Sequence, residues 1–180
     1  IGNLLLEYEN IFVMSDDIYE KIVYDDFKFF SLAEVMPELK DRILTVNGVS
    51  KAYAMTGWRI GYAGGPKHLI TAMSKLQSQS TSNPSSISQA AALAALEGPE
   101  EFLLERNERF KIRRNMVVKM LNECNGLSCI KPSGAFYVYP SCSGIIGKSS
   151  KEGKLIENSI DFSSYLLESF GVAVVPGSAF

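Results

Sequence analysis

A lysine set among small residues, with an arginine eight positions further on, is the part of this sequence best suited to covalent chemistry. Lys51 stands in the run Val46-Asn47-Gly48-Val49-Ser50-Lys51-Ala52-Tyr53-Ala54-Met55-Thr56-Gly57-Trp58-Arg59-Ile60-Gly61. An amine that condenses with a carbonyl must be neutral for part of the time, which calls for partial desolvation and nearby positive charge. Small neighbours let a flat group approach the backbone, and Arg59 is suited to a two-pronged grip on a phosphate dianion. Upstream, Asp16 and Tyr19 lie in Met14-Ser15-Asp16-Asp17-Ile18-Tyr19. A carboxylate there suits the protonated nitrogen of a pyridine ring, and a phenol three residues later suits a ring oxygen. The four side chains together complement pyridoxal phosphate, which offers an aldehyde, a pyridinium and a phosphate. Each taken alone has a plainer reading: a surface lysine, a solvated turn, or a helix N-cap for the aspartates.

The elements that would position them alternate along the chain. Ile11–Met14, Arg42–Val46 and Ile60–Ala63 read as short buried strands of a parallel sheet, and an aspartate at the carboxyl end of such a strand lies where open α/β sheets bind ligands. Helices are expected over Ser31–Leu39, Lys67–Ser78, Ser86–Leu96 and Pro99–Asn122, the last begun by Pro99-Glu100-Glu101 and long enough to bridge two domains. Its arginines, Arg106, Arg109, Arg113 and Arg114, are expected on a solvated face. Beyond it come strands at Leu127–Lys131 and Ala135–Tyr139, a polar loop, a helix over Ser159–Phe170 and a strand at Val172–Val175. The expected architecture is α/β: a layered sheet with flanking helices over residues 1–105, then a smaller α+β domain over 106–180. Trp58 and Tyr53 read as packing residues and His68 as exposed.

Gly48-Val49-Ser50-Lys51, followed by Ala54-Met55, Gly57 and Arg59-Ile60-Gly61, resembles the cofactor-attachment signature of class I aminotransferases at every constrained position. Asp16-Asp17-Ile18-Tyr19, Gln89, Gly134-Ala135-Phe136-Tyr137 and Pro176-Gly177-Ser178-Ala179-Phe180 resemble further segments of that family, most closely its bacterial aspartate branch that also uses prephenate. The resemblance spans essentially the whole chain. It implies pyridoxal 5'-phosphate on Lys51, with that lysine also moving the proton between substrate Cα and the cofactor. It implies Asp16 on the pyridine nitrogen, Tyr19 on the ring oxygen and Arg59 on the phosphate. It further implies transamination between aspartate and a 2-oxo acid, 2-oxoglutarate or prephenate, by a cytoplasmic homodimer. Gly48 departs from the serine that many members carry as a phosphate ligand, leaving Ser50 or backbone N–H groups as substitutes.

Composition agrees with a globular chain: 46% hydrophobic, 21% charged, net charge −2. That balance gives no basic field for nucleic acid or anionic membranes, and no apolar run approaches a membrane span. Three unevenly spaced cysteines lack metal-ligand spacing and are expected as thiols, and His68, the only histidine, argues against a histidine-based hydrolase within this chain. The absence of an initiator methionine and the stop at Phe180 suggest a piece of a longer protein. The family's glycine-rich phosphate turn, ring-stacking aromatic and carboxylate-binding arginine are expected outside it, so these residues alone are expected to be inactive. A lyase or cyclopropane-forming synthase on the same scaffold, or a regulatory domain that binds the cofactor without catalysis, would share Lys51.

Overall fold

A computed structural model describes all of residues 1–180. The chain opens with α1 (Gly2–Leu6) and β1 (Val13–Asp16), followed by α2 (Leu32–Val35), a 3-10 helix (Pro37–Arg42) and β2 (Ile43–Gly48). Next come β3 (Gly61–Gly64), α3 (Lys67–Ser78), α4 (Ser86–Glu97), α5 (Glu101–Asn122) and α6 (Ser159–Phe170). It forms two compact units: residues 1–108 with 133–135, and residues 109–132 with 136–180. Helix α5 gives its first eight residues to the first unit and the rest to the second.

The sheet has the order β1-β2-β3. β1 runs parallel to β2, with Val13 opposite Ile43 and Asp16 opposite Val46. β3, expected to be parallel, is antiparallel to β2, with Thr45 opposite Gly64 and Gly48 opposite Gly61. The connection explains the difference. Residues 49–60 contain one short 3-10 turn, Thr56–Trp58, and no helix to carry the chain back across the sheet, so the strand returns beside its neighbour. Gly48 and Gly61 let the two strands close at that end. A Cβ on Gly48 would lie 3.2 Å from the Gly61 Cα, and one on Gly61 would lie 2.9 Å from the Asn47 carbonyl oxygen.

Only β2 is buried as the sequence suggests. Ile43 and Leu44 are inside, whereas β1 alternates half-buried and exposed residues and β3 has none buried. The core of the first unit centres on Ile22, Leu39, Ile43 and Val49, each at most 2% exposed. Burial of each such side chain stabilises the fold by about 1.5–3 kcal/mol.

The helix expected over Ser31–Leu39 is broken in two. Ser31 caps α2 by accepting from the Glu34 N–H, but Pro37 has no N–H to continue the ladder, and the chain tightens into the 3-10 turn. That turn ends at Arg42, whose guanidinium donates to the carbonyls of Leu5, Tyr8 and Ile11 and ties the N-terminal segment to the start of β2. Residues 133–135 join this unit through backbone bonds from the Tyr24 N–H to Ser133 and from the Ala135 N–H to Ile22.

In the second unit, α6 occupies the residues its pattern suggests. Asn158 caps it with bonds from the Ile160 and Asp161 N–H groups, and Gly171 ends it in the left-handed region at φ 67°. The strands expected at 127–131, 135–139 and 172–175 do not form ladders. Isolated bridges, Ser128 to Ser141 and Ser149 to Leu155, replace them within this unit. Strand-forming residues favour a half-buried pleated surface but do not supply the partner strand that a ladder needs. Arg114, expected on a solvated face, is buried and donates to the Pro132 carbonyl and the Asn115 side chain. No helix is long and apolar enough to cross a membrane.

Candidate active site

Because β1 and β2 are parallel and in register, their carboxyl ends lie side by side, and both carry chemistry-bearing residues within a few positions. Asp16 closes β1 and is exposed, with Oδ1 accepting from the Ile18 N–H at 3.3 Å. Its neighbour Asp17 is buried. Asp17 Oδ1 accepts from the Ser15 hydroxyl at 2.6 Å, and the Asp17 N–H donates to Val46 at 2.9 Å. A turn follows, closed by bonds from Glu20 to Asp17 and from Ile22 to Tyr19, which leaves the Tyr19 ring half-buried.

Lys51 lies three residues beyond β2 in a turn held by bonds from the Ala54 N–H to Lys51 and the Met55 N–H to Val49. The flanking side chains Val49, Ala52 and Tyr53 are buried, which fixes the turn while leaving Lys51 half-buried. Its Nζ is 5.9 Å from the centroid of the Tyr19 ring, a distance at which a cation and an aromatic face attract. Arg59 reaches the same end of the sheet from the other direction, two residues before Gly61, the partner of Gly48. It is exposed and left-handed at φ 51°, and its Nη1 donates to the Thr56 carbonyl at 3.0 Å. Ala54 is also left-handed, at φ 54°. Two left-handed non-glycine residues between β2 and β3 each cost about 1–3 kcal/mol, a cost found most often around functional sites.

A cavity of about 190 Å³ opens beside Asp16, with Asp17, Tyr19, Phe27, Gly134 and Ala135 in its walls. Lys51 and Arg59 do not line it. The structure thus brings Lys51 to Tyr19 and places Asp16 and Tyr19 in one cavity, while Arg59 stands at the sheet end on its own loop. Ser50, the weaker phosphate candidate, is half-buried at the start of the lysine turn.

A charged cluster that sequence spacing did not single out lies behind the lysine turn. Lys21 pairs with Glu100, and the Tyr53 hydroxyl donates to the same carboxylate at 3.4 Å. The Lys21 hydrogen bond, with its charge, holds the Glu100 carboxyl below the usual glutamate range. Burial, the largest single influence on Lys21, works against its charge. The bond to Glu100 and the charges of Tyr53 and Glu100 outweigh it, so its pKa is raised. Burial first, then the Glu20 charge, raises the Tyr62 hydroxyl. Trp58, read as packing, is 45% exposed, whereas Tyr53 is buried; Phe136 and Tyr137 are exposed and lie outside any strand.

Residues 1–180 match the family described as aminotransferase class I and II. The chain belongs to that family. It is 59% identical over 177 residues to an aspartate aminotransferase of Rhizobium meliloti, covering 98% of this chain and 43% of the relative. It is 58% identical to an aspartate/prephenate aminotransferase of Cereibacter sphaeroides, covering 98% of this chain and 44% of that protein. The crystal structure of the Rhizobium meliloti aspartate aminotransferase superposes with a TM-score of 0.92 at 58% identity, over 98% of this chain and 44% of the other. An aromatic aminotransferase from Pyrococcus horikoshii superposes at 0.83 with 37% identity, over 99% of this chain and 45% of the other. The chain thus spans less than half the length of these aminotransferases, and its α/β fold is the corresponding part of theirs.

Proposed function

We propose that this chain forms the lysine-bearing part of a pyridoxal-phosphate-dependent aspartate aminotransferase. The observation that carries the reading is the approach of the Lys51 amine to the Tyr19 ring, at the sheet end where Asp16 closes the neighbouring strand. The residues suit the cofactor. An exposed carboxylate opens into an aromatic-walled cavity, and a half-buried amine stands over a tyrosine. Bound there, pyridoxal phosphate supplies an aldehyde to take up an amino group and a protonated ring to accept the electron pair freed at the substrate Cα.

The residues divide the remaining work. Lys51 would hold the cofactor through its amine and, once displaced by substrate, carry the Cα proton on Nζ. Asp16 would keep a proton on the ring nitrogen. The Tyr19 hydroxyl would donate to the ring oxygen, and Arg59 would grip the phosphate with two parallel hydrogen bonds. Residues 1–105 would belong to the cofactor domain and 106–180 to the smaller one, within a homodimer in the cytoplasm. The names of the relatives at 58–59% identity support aspartate as donor and prephenate as an acceptor, and 2-oxoglutarate is the other acceptor in this reading.

The test is a single-turnover assay of the full-length protein with bound cofactor against a panel of amino acids, read by release of the 2-oxo acid. Aspartate should convert the bound cofactor fastest, and both acceptors should restore it. If no amino acid converts it, the transaminase reading fails. A preference for an aromatic donor would move the protein to a different specificity.

A further inference from the structure

The first two turns of α5 reach the lysine turn and the Tyr19 turn together. The Arg106 guanidinium donates to the carbonyl of Ala52, the residue directly after Lys51. It lies over the Phe102 ring, 5.0 Å from its centroid, and that ring in turn packs on Tyr53 with centroids 6.0 Å apart. On the other side, Glu100 pairs with Lys21, and Asn107 Nδ2 donates to the Lys21 carbonyl at 2.8 Å, two residues after Tyr19. Ala52 and Tyr53 are both buried, so their backbone is shielded from water that would otherwise satisfy the carbonyl. Glu100 and the first two turns of α5 together fasten the two segments whose side chains meet at the site.

We infer that Arg106 is a positioning residue for Lys51: through the Ala52 carbonyl it holds the lysine turn at its spacing from Tyr19, with Glu100 and Asn107 holding the tyrosine side. The inference rests on the proposed role of Lys51, but the clamp itself is a property of the polypeptide without cofactor. A guanidinium suits the task because its fork is rigid and its stem packs on an aromatic ring while one N–H reaches a carbonyl. Arg106 touches no reacting atom. Its effect is on where the Lys51 amine stands, and small displacements of a reacting group cost rate steeply.

The experiment uses the full-length protein with Arg106→Met, which keeps the stem on Phe102 and removes the donors, and Arg106→Lys, which restores one cationic donor. In the cofactor-free protein, amide hydrogen exchange over Ala52–Ala54 should speed up roughly 10-fold in Arg106→Met and return toward wild type in Arg106→Lys. In the cofactor-loaded protein, kcat should fall roughly 10- to 100-fold while KM for the amino donor stays within about twofold. The pH midpoint of the bound cofactor's absorbance change should also move, because the lysine's surroundings change. Exchange and pH midpoint both unchanged, with only a lower melting temperature, would overturn the clamp and leave Arg106 as a packing residue. Should Arg106→Met not fold, exposed Glu100→Gln provides the second arm: faster exchange at Glu20–Ile22 supports the clamp, and no change there counts against it. A wild-type protein that fails to attach pyridoxal phosphate at Lys51 defeats the proposed function, while the cofactor-free exchange result still decides the clamp.

Discussion

The loop that carries Lys51 and the loop that carries Arg59 follow one another in sequence and arrive at the same end of β2 and β3, but they are held in different ways. In the first, Val49, Ala52 and Tyr53 are buried, and α5 grips the Ala52 carbonyl. In the second, residues 56–59 are all exposed, and Arg59 is steadied by its own hydrogen bond to Thr56 in a left-handed conformation. The group proposed to act on reacting atoms is the one the polypeptide preorganises. The group expected to meet a strongly charged phosphate sits on a looser segment. A salt link between a guanidinium and a dianion tolerates some freedom in its stem, whereas proton transfer from an amine depends steeply on position.

The comparison is tested most severely at Lys51 itself. In the full-length enzyme, Lys51→Ala should lower transamination by about 10⁴-fold and abolish borohydride trapping of the cofactor on the chain, read by peptide mass. Cofactor trapped on another lysine would remove the reason for treating the buried loop as the catalytic one. Next in size is a matched pair of aromatic truncations. Tyr53→Ala should destabilise the folded protein by about 3 kcal/mol, and exposed Trp58→Ala by less than about 1 kcal/mol, both measured by urea unfolding. Equal losses would mean that the two loops are held alike.

Arg59→Lys should act on binding rather than on folding. Replacing the planar fork by a single ammonium should weaken pyridoxal phosphate binding roughly 10-fold while the cofactor-free unfolding midpoint is unchanged. Titration of the apoprotein with the cofactor measures the first quantity and urea unfolding the second. A lower unfolding midpoint would show that Arg59 is structural and that its loop is less independent than the geometry indicates.

Much of this was legible in the residues, but unevenly. Lys67–Ser78 and Ser159–Phe170 form helices with the bounds their patterns suggest, the first begun directly after Pro66 and the second capped by Asn158 and ended by Gly171. Lys51, Asp16, Tyr19 and Arg59 could be singled out because their segments resemble the signature of a family, and the variants above test the roles proposed for Lys51 and Arg59. What the sequence hid is the information that depends on partners. The antiparallel return of β3 follows from a connection too short to cross the sheet, and the weak strands of the second unit would need neighbours to become ladders. The arginines of α5 looked alike on a helical pattern, yet Arg114 is buried and Arg106 binds a backbone carbonyl 54 residues away. No local pattern marks such a contact.

The smallest expected effect concerns the Lys21–Glu100 pair behind the buried loop, and its sign follows from the two shifts. The bond from Lys21 holds Glu100 below the ordinary glutamate pKa, so its contribution is present above that ordinary value and is lost as pH falls through its lowered folded pKa. Lys21 is raised above the ordinary lysine pKa, so its contribution is complete below that ordinary value and is lost as pH rises through its raised folded pKa. The difference in unfolding midpoint between wild type and Glu100→Gln should therefore be constant across neutral pH and shrink at both extremes. It should also shrink with added salt, because the carboxylate is exposed and the pair is screened. The matching measurement on Arg59→Gln should show no such shrinkage at the extremes, since Arg59 is held by a backbone carbonyl that does not titrate. A Glu100→Gln difference that persists undiminished in acid would mean that the side chain acts by packing rather than by charge, and would remove the electrostatic part of the contrast between the two loops.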